Sequence, residues 1–164
     1  MNIKLVLLNV SLLIILSSCT SLQNEAAFPD VGLPMEDLNQ QIITYAPKGW
    51  NQFSTKDSIV LEVVANQDQT VLFRPIDVRI FRYESGDWDE IENKLSESDP
   101  DFEYVLDPNK SQDPSYRGTA MLLPDLSDTT VPVDLRIYVF GFIIENGEAT
   151  DKRVGAFVDV HLAP

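Results

Sequence analysis

Two long alternating runs near the C-terminus limit what this chain can become. Between 131 and 145, Val133, Leu135, Ile137, Val139, Gly141 and Ile143 alternate with Asp134, Arg136, Tyr138, Phe140 and Phe142. Between 152 and 162, Val154, Ala156, Val158, Val160 and Leu162 share one face. A period of two belongs to extended chain, whose successive side chains point to opposite sides. No window of a dozen residues carries the 3.6-residue period of an amphipathic helix, which excludes helical bundles and alternating α/β folds.

Shorter runs of the same kind fill the chain from about residue 42. SIVLEVVAN (58–66) places Ile59, Leu61, Val63 and Ala65 on one side and predicts a strand with one face in a core. A polar turn leads to 70–73, and Pro75 interrupts before IDVRIFRY (76–83). Ser85-Gly86 marks a two-residue hairpin turn. Pairing Glu84 with Asp87 sets Tyr83 opposite Trp88, Arg82 opposite Asp89, Ile80 opposite Ile91 and Arg79 opposite Glu92, a register with aromatic, aliphatic and opposite-charge pairs together. FEYVL (102–106) and 118–123 supply two further strands.

The last hairpin closes in one of two ways. A tight Asn146-Gly147 turn is the commonest short hairpin signal, but it sets Asp134 opposite Asp159. A six-residue loop over 146–151 pairs Glu145 with Lys152, Phe140 with Phe157 and Arg136 with His161, and we expect this longer loop. Seven or eight strands and no helix of note predict an all-β fold, an antiparallel β-sandwich occupying residues 42–164. VDLRIYVFGF beside VGAFVDVHL resembles the last two strands of immunoglobulin-like and fibronectin type III-like modules, with Tyr138 similar to their conserved strand tyrosine. That likeness implies a binding, adhesive or spacer unit. The Cys-Trp-Cys signature of true immunoglobulin domains is absent.

The N-terminus has a different grammar. Lys4, an apolar stretch over 5–16 and the small residues before Cys19 form the three regions of an export signal, and the apolar stretch is too short to cross a bilayer. Leu16-Ser17-Ser18-Cys19 resembles the lipobox of bacterial lipoproteins. The resemblance implies that residues 1–18 are removed and that Cys19 receives a diacylglyceryl group and becomes an N-acylated N-terminus. It also implies a membrane partner reached through lipid, since two or more chains anchor stably where one does not. Thr20 at the next position implies the outer membrane in a Gram-negative host; in a single-membrane host the address is the outer face of the cell membrane. Residues 19–41, with Pro29, Gly32 and Pro34, are expected to be a flexible tether with a short helical turn over 35–40.

Composition narrows the function classes. With 12 basic against 26 acidic residues the formal charge is −14, which excludes nucleic acid as a partner. One cysteine allows no internal disulfide and no cysteine-rich zinc site. The single histidine, His161, sits on the outward face of the last strand without a nucleophile motif near it, and neither a G-x-S-x-G nor a glycine-rich phosphate loop occurs. No catalytic set is therefore expected. Glu97, Asp99, Asp101 and Glu103 recur at every second position, the one weak candidate for Ca2+; a solvated acidic loop accounts for the same pattern. Tyr138, Phe140, Phe142 and Phe157 form a row of rings on the outer face of the last hairpin, a candidate protein-partner surface unless the tether or a loop covers it, which we expect. The expectation for the whole is an envelope lipoprotein whose domain is a non-catalytic interaction or accessory module with a protein partner. The alternative is an inhibitor or a small-ligand or Ca2+ binder acting through acidic loops.

Overall fold

A computed structural model describes residues 28–47, 53–54, 58–94, 102–126 and 130–163. They form an all-β sandwich. Strands β1 (Ile42–Tyr45), β3 (Ile59–Ala65) and β8 (Gly118–Leu122) make a three-stranded sheet in the order β1-β3-β8. The facing sheet is built on β9 (Val133–Glu145) and β10 (Glu148–Ala163). Its order is β2 (Phe53–Ser54), β10, β9, β4 (Val71–Phe73) and β7 (Tyr104–Leu106), and the hairpin β5 (Arg79–Glu84) with β6 (Asp87–Ile91) lies along the other half of β9. Neighbours pair antiparallel, except that β2 joins the end of β10 in parallel, Phe53 opposite Leu162.

β4 and β5 are one crossing of the sheet broken in the middle. Both run antiparallel to β9, Phe73 opposite Gly141 and Arg79 opposite Tyr138. Between them Pro75–Asp77 turns as a 3-10 helix, because proline fixes its own φ and has no N–H to give the ladder. The β5–β6 register is the expected one from Glu84 opposite Asp87 to Ile80 opposite Ile91. Two charge partners differ: Arg79 reaches diagonally to Glu90, with two hydrogen bonds of 2.7 Å, rather than to Glu92, and Arg82 pairs with Glu84 of its own strand rather than with Asp89.

The last hairpin departs from the expected six-residue loop. Asn146 and Gly147 take φ of 55° and 86°, a tight turn with Glu145 opposite Glu148. The ladder then shifts between Ala149 and Arg153, where residues 150–152 face Ile143 alone and Thr150 Oγ1 donates to the Ile143 carbonyl at 2.9 Å. A slip of two residues preserves which side chains face inward. It also replaces the Asp134–Asp159 clash of an unbroken tight hairpin with Arg136 opposite Asp159 and Asp134 opposite His161. Glu145 still reaches Lys152, at 2.6 Å.

Between the sheets lies an aliphatic core. Ile59, Leu61 and Val63 of β3 meet Leu135, Ile137 and Val139 of β9, with Ala156, Val158 and Val160 from β10. The inward residues of these strands are the ones their alternation predicts. The tether boundary at residue 41 needs correction, because residues 28–41 pack on the domain as a strap. Val31 and Leu38 are buried, Met35–Asp37 forms a single 3-10 turn, and only residue 28 onward is described.

Candidate functional surface

The outer face of the larger sheet is where sequence placed the partner surface. β9 sends Asp134, Arg136, Tyr138, Phe140 and Phe142 outward, and β10 sets His161, Asp159, Phe157, Gly155 and Arg153 opposite them in turn. Phe81, Tyr83 and Trp88 extend the same face across the β5–β6 hairpin.

Most of this row is covered. Tyr138 and Phe140 are fully buried, and with Val31, Leu38 and Phe81 they form a second core, against which Leu33, Met35, Trp88 and Phe157 pack. The covered alternative, the expected one, holds for Tyr138 and Phe140, with Phe157 half-buried: a bare row of rings is a large apolar patch, and the strap removes it from water. Phe142 alone stands apart from that cluster, half-buried beside Arg74, whose guanidinium lies 5.6 Å from its ring centre.

Four local fittings hold the strap. Gly155 has no side chain where Leu33 and Leu38 cross it; a Cβ there would lie 2.9 Å from a methyl of each. Asn39, at φ 60°, donates its N–H to the Gly155 carbonyl at 2.9 Å, and its Oδ1 accepts from the Phe157 N–H at 3.1 Å. One asparagine thus satisfies both groups of a strand edge that, among the described residues, no neighbouring strand covers at that height. Arg153 donates to the Val31 carbonyl at 3.2 Å and lies 3.8 Å from the Phe140 ring centre. Phe28 rests on Arg136, its ring centre 4.4 Å from the guanidinium carbon.

Arg136 organises the lower half of the face. Its guanidinium lies against Phe28, Trp88 (4.8 Å) and Phe157 (4.9 Å) and grips Asp159 in a bidentate pair of 2.6 and 2.8 Å. Burial opposes the charge, but the Asp159 carboxylate outweighs it and holds the Arg136 pKa above its ordinary value. Beside it, burial pushes the Tyr138 phenol up against the opposing pull of the Arg136 guanidinium, and among the described residues its hydroxyl makes no hydrogen bond of good geometry.

This arrangement binds and positions chain. His161 Nδ1 lies 2.6 Å from Asp134 Oδ1, both exposed, and no hydroxyl nucleophile completes a relay among the described contacts. Among the described residues no group of three or more His, Cys, Asp or Glu side chains is placed to hold a metal ion. Of the acidic row, Glu103 is exposed, while Glu97, Asp99 and Asp101 lie outside the described residues. So do Leu16, Ser17, Ser18 and Cys19. No helix among the described residues is long and apolar enough to cross a membrane. An open hollow of about 440 Å³ near the β5–β6 tip, lined by Tyr83, Glu84 and Val131 among others, has its charged groups paired with each other, Arg82 to Glu84 at 2.5 Å.

Sequence alone passed over the residues that fasten the strap. Arg136, Arg153 and Asn39 read as ordinary polar positions, and the one available signal was Gly155, a glycine inside a strand, which marks a close approach of other chain. No family model matches this chain, and neither a curated protein nor a solved structure matches it.

Proposed function

We propose that this chain is a lipid-anchored bacterial envelope protein whose immunoglobulin-like sandwich is a non-catalytic interaction or accessory module. The observation that carries the proposal is Leu16-Ser17-Ser18-Cys19 at the end of an export signal, with no other cysteine in the chain. The strand order supports the module: β1-β3-β8 facing β10-β9-β4/β5 corresponds to the A-B-E and G-F-C sheets of such sandwiches. Lipid is the natural anchor for so acidic a chain, since a formal charge of −14 offers an anionic membrane no attraction.

Replacing Cys19 with Ala tests the anchor. The native protein is expected in the detergent phase and to incorporate labelled fatty acid; the Cys19→Ala protein is expected in the aqueous phase without label. Equal partitioning of the two overturns the proposal. Crosslinking in intact cells is expected to join the module to a protein partner at defined stoichiometry.

A further inference from the structure

We infer that the docked strap sets the orientation of the sandwich on its membrane anchor, turning the β5–β6 tip toward the bilayer and the Asn146-Gly147 tip away. The inference rests on lipidation of Cys19. It follows from where the chain leaves the domain. Phe28 sits on Arg136 and against Phe157, in the lower half of β9 and β10. The β5–β6 tip lies just beyond Asp134, which pairs with Tyr83, whereas Asn146-Gly147 closes the opposite end.

At ~3.3 Å per residue, the Asn146-Gly147 tip is ~30 Å from the Phe28 level and the β5–β6 tip ~15 Å. Residues 20–27 join Cys19 to Phe28, and a peptide of that length spans ~32 Å when fully drawn out. The β5–β6 end approaches the bilayer with about half that span. Lowering the other end onto the bilayer requires nearly all of it.

Without the strap the first fixed residue is Ile42, which pairs with Ala65. The tether is then residues 20–41, which span ~75 Å when drawn out, enough to let either end of the sandwich meet the bilayer. Strap docking therefore cuts the tether to eight residues and fixes its exit beside Arg136, and Gly155, Asn39 and Arg153 are the fittings that hold it there.

Energy transfer from a dye to headgroup-labelled lipid in vesicles bearing the acylated protein reads the two ends. Cys19 is consumed by its thioether, so Asp87→Cys and Glu148→Cys give single labelling sites at exposed positions. Transfer is expected to be higher from position 87. Adding Gly155→Val, which drives Leu33 and Leu38 off β10, is expected to remove the difference between the two positions; Leu38→Asp, which leaves β10 untouched, is expected to do the same. Equal transfer from both ends of the strap-docked protein, or an unchanged difference once protease cleavage within 28–41 shows the strap free, overturns the orientation alone. Failure of the acylation-competent protein to float with vesicles overturns the anchor itself, and the orientation with it.

Discussion

Alternate residues of one strand, β9, build two different cores. Its inward side chains, Leu135, Ile137, Val139 and Ile143, are aliphatic and meet a second sheet. Its outward side chains, Arg136, Tyr138 and Phe140, are aromatic or cationic and meet an irregular strap. A sheet offers a continuous pleated surface, into which branched aliphatic side chains interdigitate. Residues 28–41 contain one 3-10 turn and no strand, so they cover the opposite face with broad flat rings, stacked guanidinium groups and single hydrogen bonds. The two cores are therefore expected to differ in cooperativity as well as in composition.

The largest expected effect comes from the inner core. Ile137 is completely buried between the sheets, and Ile137→Ala is expected to cost ~3–4 kcal/mol in urea unfolding, with fluorescence and circular dichroism transitions falling together. Leu38 is almost as buried but belongs to the strap. Leu38→Ala is expected to cost ~2 kcal/mol or less and to accelerate protease cleavage within 28–41 before the sandwich unfolds. Equal losses with no early cleavage would show that the strap and sandwich unfold as one unit and would dissolve the distinction.

The same division explains what was legible from sequence. Period-two alternation reports an inward face without knowing its partner, so the inner residues of β3, β9 and β10 and the β5–β6 register could be read directly. The strap could not, because its docking depends on positions with no period: a missing side chain at Gly155, a left-handed Asn39 and a carbonyl offered to Arg153. The final hairpin shows a subtler limit. Turn chemistry favoured Asn146-Gly147 and charge pairing argued against the register it implied; a bulge over 150–152 satisfied both, and a bulge is a local device that pairing arithmetic does not generate. Of the candidate surface, the rings were found and a cover was expected, but not the residues that fasten it.

A smaller effect of opposite sign is expected at Tyr138. Its ring is packed by Phe81, Phe157 and Phe140, while its buried hydroxyl makes no hydrogen bond of good geometry among the described residues. Desolvating that hydroxyl is a cost that no such bond offsets. Tyr138→Phe keeps the ring and removes the cost, so the urea midpoint is expected to rise by the equivalent of up to ~1 kcal/mol. A fall of that size instead would mean that the hydroxyl is held by water linking it to Arg136, and that the outer core is wetter than the inner one.

The smallest expected effect lies at the rim of the outer core and depends on pH. Glu90 accepts two hydrogen bonds from Arg79, whose guanidinium lies 5.0 Å from the Phe81 ring centre. Those bonds hold the Glu90 carboxyl below its ordinary value of 4.5, against the opposing effect of burial, and hold Arg79 above its own. A carboxyl lowered in the folded state binds its proton more weakly there than in the unfolded chain. Its stabilisation is therefore complete above the ordinary value and disappears as pH falls through the lowered one. Since both side chains are substantially in solvent, the contribution at neutral pH is expected to be only ~0.5 kcal/mol. Glu90→Gln is expected to lower stability by that amount at pH 7, to match the native protein at the acid end of the titration, and to lose its difference in high salt. A difference that persists in acid would show that Arg79 is held by the Phe81 ring and the packed face rather than by the carboxylate.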